Sequence, residues 1–185
     1  MRVVAGSAKG RRLVSPPGTS TRPTSDRVRE ATFNSLFSLG GVEGLRVVDL
    51  FAGTGALGIE ALSRGARHCT FVERDRGALR ALRQNLDTTA FADRATVLEA
   101  DASASATIDR VGPVDLALAD APYDFDGWGP VLAALDTDLV VIESARGVEM
   151  GERWELLRSR SYRSTVVTIA RCVEPRDLSD ARRGR

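Results

Sequence analysis

The sequence has few of the residues that build metal centres or disulfide frameworks. Its 185 residues include two cysteines and one histidine, with no CxxC pair and no Cys/His cluster. Cys69 and Cys172 both lie in apolar, strand-like segments, a usage typical of a protein from a reducing cytoplasm. We therefore expect a cytoplasmic protein that binds no metal.

Long hydrophobic runs are also missing. No uninterrupted apolar stretch approaches the length needed to span a bilayer, and the amino terminus, MRVVAGSAKGRRLV, has no apolar region of the kind found in signal peptides. With 43% hydrophobic residues, a chain of this length can bury a substantial core without disulfides. These features argue against secretion and against any membrane partner, and we expect a monomer.

Charge is nearly balanced, with a net charge of +1, but it is unevenly distributed. Residues 1–30 hold seven Arg or Lys against two Asp or Glu, a net charge of +5 that leaves −4 for the rest. A basic end on a mildly acidic body favours contact with nucleic acid over a small neutral metabolite. Solvated surface charge is the alternative, and Asp26 or Glu30 could pair with some of the cations. The candidate phosphate-contacting residues are Arg2, Lys9, Arg11, Arg12, Arg22, Arg27 and Arg29.

Strands alternate with helices from residue 45 onward, which is the pattern of a parallel sheet covered by helices. Apolar runs predict strands at 45–51, 69–73, 95–99, 114–120 and 138–143, and helices at 56–64 and 76–86. Two further strands, 154–162 and 164–172, are expected to form an antiparallel pair at the sheet edge. The predicted fold class is α/β, a mostly parallel, doubly wound sheet with an antiparallel edge and helices on both faces.

The first 40 residues depart from this pattern. Short β-prone runs at 2–5 and 11–14 flank residues 6–10 and predict a hairpin. A helix capped by Thr24 or Ser25 is expected next and ends at Gly40 and Gly41. Its predicted apolar positions are Val28, Ala31, Phe33, Leu36 and Phe37. We expect residues 1–40 to be an extension packed on a core domain, 41–173, with a polar tail at 174–185.

Two motifs stand where apolar strands end, DLFAGTG at residues 49–55 and DAPY at residues 120–123. Gly53 and Gly55 allow a sharp turn and a close approach of the backbone to a ligand, so the first motif predicts a cofactor loop. Ligands of doubly wound sheets bind outside the carboxyl ends of the strands. DAPY should therefore lie at the same edge and carry the chemistry.

Acidic residues that end the next two strands narrow the choice of cofactor. Glu73 can accept two hydrogen bonds from ribose hydroxyls, and the Asp101 carboxylate with the Ala102 amide can bind the edge of an adenine ring. An acid like Glu73 would also suit NAD, but the loop has GTGALG in place of GxGxxG and the chain is too short for a separate substrate domain. Each acid could instead only cap a turn.

These residues resemble the S-adenosylmethionine-dependent methyltransferases of the Rossmann-like class I fold. The resemblance is sharpest to the bacterial 16S ribosomal RNA guanine-N2 methyltransferases of the RsmD type, and it runs through most of the chain. It is carried by RVVAGSAKGRRL, RPTSDRVREATFNSLF, DLFAGTGALGIEALSRGA, ERD after the second strand and VIES after the fifth. RPTSDRVRE is the most discriminating block, because DPPY-like motifs also occur in DNA adenine and glutamine methyltransferases.

The resemblance implies methyl transfer from S-adenosylmethionine to the N2 amine of a guanine in 16S ribosomal RNA, within an assembling small subunit, with S-adenosylhomocysteine as product. The glycine-rich loop would hold the methionine end of the cofactor, Glu73 its ribose, and Asp101 with Ala102 its adenine. Asp120 and the Ala121 carbonyl would accept hydrogen bonds from the amine, and Tyr123 would stack on an extruded base. The implied cofactor-binding residues are Asp49, Phe51, Gly53, Gly55, Glu73, Arg74, Asp101 and Ala102, and the implied catalytic residues are Asp120, Ala121, Pro122 and Tyr123.

The sequence departs from the family's motif at Ala121, where the first proline is usual, and this exchange removes a source of loop rigidity. Trp128 follows DAPY closely enough to line the target pocket, whereas Trp154 is expected in the core. Two other functions stay open. One is an adenine-N6 methyltransferase on DNA or RNA, because the same acceptors suit any exocyclic amine. The other is a cofactor-binding RNA chaperone without turnover, for which Ala121 is the only hint.

Overall fold

The computed structural model describes residues 1–16 and 26–174. In this part of the chain seven strands form one sheet: β1 Arg46–Leu50, β2 His68–Glu73, β3 Ala95–Glu99, β4 Val114–Asp120, β5 Thr137–Ser144, β6 Trp154–Tyr162 and β7 Thr165–Cys172. Their order is β3-β2-β1-β4-β5-β7-β6, with β1 to β5 parallel and β7 antiparallel to both β5 and β6. The predicted parallel sheet with an antiparallel edge is confirmed.

Two apolar clusters cover the two faces of the sheet, so its central strands are buried on both sides. The helices are α1 Asp26–Phe37, α2 Ala56–Ser63, α3 Arg76–Thr89, α4 Ser105–Val111 and α5 Trp128–Ala134, with a short 3-10 turn at Ala92–Arg94. Residues of α1, α2 and α3 belong to one cluster, and residues of α4 and α5 belong to the other. The helices α4 and α5 were not predicted from the sequence.

The centre of the sheet is the point where the strand order reverses. Leu50 at the end of β1 is in register with Val72 of β2 on one side and with Ala119 of β4 on the other. The chain builds outward from β1 to β3 and then returns to place β4 beside β1. Such a reversal opens a crevice at the carboxyl ends of the two central strands, which is where doubly wound sheets bind ligands.

The amino-terminal residues form the predicted hairpin. Val3 donates its amide hydrogen to the Arg11 carbonyl at 3.0 Å, and Gly10 donates to the Val3 carbonyl at 2.9 Å. At the turn, Gly6 has a φ of 81°, and a Cβ there would come within 1.8 Å of the Ser63 carbonyl oxygen of α2. Only glycine lets the hairpin approach α2 this closely.

Buried polar groups fasten the hairpin to the core domain. Glu60 of α2 accepts hydrogen bonds from the amides of Val4 and Ala5 at 2.8 and 3.0 Å. Asn85 of α3 accepts from the Val14 amide at 2.8 Å and donates to the Val14 carbonyl at 3.1 Å. Because Glu60 and Asn85 are both fully buried, these bonds make the hairpin part of the domain's interior.

The first helix differs from prediction at its carboxyl end. Phe33 and Leu36 are buried as expected, but Phe37 is 79% exposed. The buried stripe follows helical spacing from Arg29 through Thr32 and Phe33 to Leu36, and Phe37 lies beyond its end. The predicted caps, Thr24 and Ser25, lie outside the described residues.

Candidate active site at the carboxyl edge of the sheet

Residues 51–55 connect β1 to α2 in a tight turn. Phe51, Gly53 and Gly55 have φ values of 57°, 54° and 78°. A Cβ added at Gly53 would have the Phe51 carbonyl oxygen, 4.0 Å away, as its nearest neighbour, so the backbone faces open space that a ligand can enter. At Gly55 a Cβ would come within 2.3 Å of the Leu82 side chain, so this glycine serves the packing of the loop against α3.

Glu73, at the end of β2, orders residues 51–55, the predicted cofactor loop. Its Oε2 accepts a hydrogen bond from the Gly53 amide at 2.7 Å, and its Oε1 accepts from the amides of Arg74 and Asp75 at 2.8 and 2.7 Å. Each carboxylate oxygen has two lone pairs, so Oε1 is saturated and Oε2 keeps one acceptor position. Glu73 thus caps the turn and still offers one hydrogen bond to a ligand hydroxyl, where two were predicted from its position in the sequence.

Asp101, just after β3, carries a stabilised negative charge. Its Oδ1 accepts hydrogen bonds from the Ser103 amide and hydroxyl at 2.9 and 2.7 Å, and its Oδ2 pairs with Arg74 at 2.7 Å. The bonds from Ser103, assisted by Arg74, hold the pKa of Asp101 below its ordinary value. The pair with Arg74 ties the ends of β2 and β3 together beside the buried Ala102. Three of the predicted cofactor residues are therefore neighbours.

Asp49 is buried beneath the cofactor loop, where its Oδ2 accepts a hydrogen bond from the Gly58 amide at 2.8 Å. Burial raises the pKa of Asp49 well above its ordinary value, and the charges of Asp120, Glu73 and Glu143 raise it further against the opposing bond from Gly58. Acidic residues from four neighbouring strands therefore converge at this edge. Glu143 lies near the end of β5, and this strand-terminal position was the sequence signal for a residue to which no role was assigned in advance.

The DAPY loop begins with the last residue of β4, at the same edge. Asp120 is in register with Glu143 of β5, and Ala121 is buried. Tyr123 is 51% exposed, and its hydroxyl lies 3.0 Å from the Thr165 hydroxyl at the start of β7. This bond fixes the end of the tyrosine ring while half of the side chain stays accessible.

A cleft of about 360 Å³ opens beside this loop. Its walls include Pro122, Tyr123, Phe125 and Trp128, together with residues 144–149 after β5. Trp128 does line a cavity next to DAPY, as its place in the sequence predicted, and Trp154 is buried in the core. The contribution of residues 144–149 was missed, since no pattern in that loop distinguishes it from an ordinary connection.

An aromatic cluster joins the two motifs. The ring of Phe51 lies 5.0 Å from that of Phe125 and 6.4 Å from that of Trp128, and Phe125 and Trp128 are 5.0 Å apart at 86°. These are edge-on or tilted arrangements that aromatic rings favour. Phe51 belongs to the cofactor loop and the other two follow DAPY, so the loop and the cleft share one wall.

Of the seven predicted phosphate-contacting cations, the six that the structure describes are either exposed or buried. Arg2, Lys9, Arg11, Arg12 and Arg27 are exposed, and Arg22 lies outside the described residues. Arg29 was wrongly assigned to this set. Its side chain is fully buried, donates to the Arg2 carbonyl and to Asp26 at 2.9 Å, and forms an ion pair with buried Glu60 at 3.5 Å. A guanidinium enclosed in this way is not accessible to a phosphate.

The family described as "Conserved hypothetical protein 95" matches residues 1–171. The chain belongs to this family. A relative from Bacillus subtilis strain 168, named "Putative rRNA methyltransferase YlbH", is 39% identical over 91% of this chain and 97% of its own length. The Escherichia coli K12 protein named "Ribosomal RNA small subunit methyltransferase D" is 44% identical over 88 residues, 48% of this chain and 43% of that protein.

The solved structures agree with this assignment. The structure titled "Putative methyltransferase yhhF from Escherichia coli" superposes with a TM-score of 0.81 at 30% identity, covering 93% of this chain and 97% of that one. The fold is accordingly that of the Rossmann-like class I methyltransferases, as the resemblance of the motifs implied.

Within residues 1–16 and 26–174, no group of His, Cys, Asp and Glu side chains is placed to hold a metal ion. None of the helices described above is long and apolar enough to cross a membrane.

Proposed function

We propose that this protein transfers a methyl group from S-adenosylmethionine to the exocyclic N2 of a guanine in 16S ribosomal RNA. The observation that carries the proposal is the contact of Phe51 with Phe125 and Trp128, because it places the cofactor loop and the DAPY cleft on two sides of one aromatic wall. A methyl donor in the loop and an acceptor base in the cleft would then be close enough for direct transfer.

The residues at this edge fit S-adenosylmethionine. Gly53 faces open space, Oε2 of Glu73 keeps one acceptor for a ribose hydroxyl, and Asp101 offers a carboxylate for the adenine amine. The convergence of acidic groups around Asp49 favours a ligand that carries positive charge. When bound, this cofactor supplies a methyl group on a sulfonium sulfur. The sulfur is a good leaving group that keeps the electron pair of the carbon–sulfur bond, so no strong base is required.

Asp120 and Ala121 would prepare the acceptor amine. An amine conjugated to a purine ring is a poor nucleophile, and hydrogen bonds from it to the Asp120 carboxylate and the Ala121 carbonyl draw its lone pair out of the ring system. The Asp120 carboxylate also stabilises the positive charge that grows on the nitrogen and can accept its proton. Asp120 is the last residue of β4 and Ala121 follows it, so the sheet fixes the position of both acceptors.

Tyr123 would hold the base. Its exposed face suits stacking against a base extruded from an RNA helix, an interaction worth about 1 to 3 kcal/mol in single-strand complexes. The hydrogen bond of its hydroxyl to Thr165 limits the ring's motion before the base arrives. Phe125 and Trp128 extend the apolar lining of the cleft.

RNA as the substrate class is supported by the exposed cations of the amino-terminal hairpin and by the names of the relatives. Arg2, Lys9, Arg11 and Arg12 of the hairpin and Arg27 of α1 are exposed, and residues 1–30 are the strongly basic part of the sequence. The Escherichia coli relative is named for the small ribosomal subunit. We infer that the substrate is 16S ribosomal RNA within an assembling small subunit.

Product analysis tests the proposal. The protein is incubated with radiolabelled S-adenosylmethionine and, in parallel, with small ribosomal subunits, naked 16S RNA or double-stranded DNA, and the nucleic acid is then digested to nucleosides. The expected product is N2-methylguanosine from RNA. Labelled N6-methyladenine would overturn the assignment in favour of an adenine methyltransferase. Cofactor and RNA binding without any labelled nucleoside would overturn it in favour of a chaperone.

A further inference from the structure

The hairpin formed by β6 and β7 ends beside the DAPY loop. Because β7 runs antiparallel to β5, its first residues lie at the carboxyl edge of the sheet, with Val166 in register with Ser144. Residues 162–165, the β6–β7 turn, therefore reach the same edge as the cofactor loop and the cleft. The bond between the hydroxyls of Tyr123 and Thr165 joins this turn to the candidate base platform.

The backbone of this turn is unusual for its sequence. Tyr162 and Thr165 are paired across it, so Arg163 and Ser164 form a two-residue connection, and Arg163 has a φ of 54°. Left-handed φ values at this position of a hairpin normally select glycine or asparagine, because a side chain with a Cβ is strained there. An arginine kept in a conformation that favours glycine points to a use for its side chain.

Arg160 adds a second cation on the adjoining strand. Its Cα is in register with Val167, which in turn is in register with Glu143, so Arg160 lies level with the ends of the central strands. Arg160 and Arg163 are exposed, and neither forms an ion pair within the described residues. Cations on an edge strand can also serve only to block pairing with another sheet, and this role would require no ligand.

The charges around the cleft favour one path for a polyanion. Two acids, Asp126 and Glu149, and one cation, Arg146, are among the residues that line the cleft. The two carboxylates repel phosphates. Thr165 is two residues from Arg163, at most about 7 Å along an extended chain, so the Arg163 guanidinium can reach the surroundings of Tyr123. A strand whose base rests on Tyr123 would direct its backbone toward the turn and away from the acids.

We propose that the β6–β7 turn is a second RNA-binding surface, in which Arg160 and Arg163 contact the phosphates that flank the target guanine. This inference rests on the proposed function. It assigns to the carboxyl-terminal hairpin the positioning of the strand at the cleft, separate from the amino-terminal cations. Phosphate contacts fix the register of a nucleic acid, and base contacts then select the target.

The test compares Arg160→Ala and Arg163→Gly with Arg171→Ala as the matched control. Arg171 is exposed and belongs to the same hairpin, but it pairs with Leu139 near the opposite end of β5. Affinity for naked 16S RNA is measured at several salt concentrations, with cofactor binding followed by calorimetry. Each of the first two variants should bind RNA several-fold more weakly and reduce the log-log salt slope by roughly 0.7 to 0.9, the value for one lost phosphate contact.

Arg163→Gly separates a binding role from a structural one. Glycine relieves the strained φ, so this variant should melt at a higher temperature than wild type while binding RNA more weakly. Cofactor affinity should stay unchanged in all three variants, and Arg171→Ala should keep the wild-type slope. Salt slopes for Arg160→Ala and Arg163→Gly equal to that of Arg171→Ala would overturn the inference. Absence of methyl transfer by the wild-type protein would instead contradict the proposed function, independently of the slopes.

Discussion

At the scale of single residues, carboxyl groups at one sheet edge acquire different properties from their surroundings. Asp49 is buried and its pKa is raised, whereas Asp101 receives hydrogen bonds from Ser103 and its pKa is lowered. Glu73 binds three backbone amides and so stabilises the loop itself. Sequence alone showed that each acid lies at the end of a strand. It could not show these differences, because they depend on burial and on donors from other segments.

The raised pKa of Asp49 predicts a pH dependence of stability. Because its pKa is raised on folding, protonated Asp49 contributes fully to folding stability below pH 3.8, its ordinary pKa. This contribution is lost as the pH rises through the folded pKa. Asp49→Asn cannot ionise and keeps an oxygen that can accept from Gly58. The free energy of unfolding of the variant, relative to wild type, should therefore rise as the pH increases from about 4 toward the folded pKa.

Chemical denaturation at several pH values measures this difference. Asp124→Asn is the control, since Asp124 is an exposed aspartate directly after DAPY. Parallel pH profiles for wild type and Asp49→Asn would contradict the prediction.

Asp120→Ala should slow methyl transfer at least tenfold and leave cofactor affinity within a few fold. The carboxylate is proposed to bind the target amine, and loss of a charge-assisted hydrogen bond of about 1.5 to 3 kcal/mol in the transition state slows turnover at least tenfold. Single-turnover rates and calorimetry measure the two quantities. Asp124→Ala, which removes a neighbouring exposed carboxylate, should retain the wild-type rate. Near-normal turnover in Asp120→Ala would refute the assignment of this residue.

At the scale of elements, hydrophobic pattern predicted the strands well and the short helices poorly. The predicted bounds of the strands at 95–99, 114–120 and 154–162 are confirmed, because polar or turn-forming residues flank each run. The helices α4 and α5 have seven residues each, too few for a helical period to show, and Gly129 and Pro130 within α5 are typical of a loop. Phe37 was wrongly grouped with the packed apolar positions of α1. In sequence, an apolar residue just past the end of a buried stripe looks the same as one within the stripe.

The DAPY loop provides a prediction at this scale. Among the described residues, the Ala121 amide donates no hydrogen bond, so a proline at this position removes no donor. Ala121→Pro should keep or increase turnover and stabilise the protein by about 0.4 to 1 kcal/mol, since proline restricts the unfolded chain. Thermal unfolding and initial rates provide the measurement. A loss of stability or rate would mean that the loop has a backbone conformation that proline cannot adopt.

At the scale of the whole molecule, the amino-terminal extension and the core domain share one interior. Arg29 joins α1 to Glu60 of α2, and Glu60 in turn holds the hairpin through the amides of Val4 and Ala5. The sequence indicated a basic extension packed on a domain. It could not distinguish the cation that is buried in the contact from those that face solvent, because Arg27 and Arg29 differ only in the side of the helix on which they lie.

This difference predicts opposite phenotypes for the two arginines. Arg29→Ala leaves Glu60 buried without one of its partners and should destabilise the fold by about 3 to 5 kcal/mol. Arg27→Ala should leave stability unchanged and reduce the salt slope of RNA binding by roughly 0.7 to 0.9. Denaturant titration and salt-dependent binding assays separate the two effects. Equal stability of the two variants would contradict the assignment of Arg29 as a structural residue.

The Asn85 side chain couples local unfolding of the amino-terminal hairpin to that of the glycine-rich loop. Besides its two bonds to Val14, its amide donates to the Thr54 carbonyl of the cofactor loop at 2.9 Å. One buried side chain thus secures both the end of the hairpin and the glycine-rich turn that we propose receives the cofactor. Chain termini usually fray independently of the folded body, but here movement of the Asn85 side chain would break its bonds to Val14 and to Thr54 together. Amide hydrogen exchange at the start of the chain and at the cofactor loop should therefore proceed through a common opening event, and a ligand that closes the loop would slow exchange at the amino terminus as well.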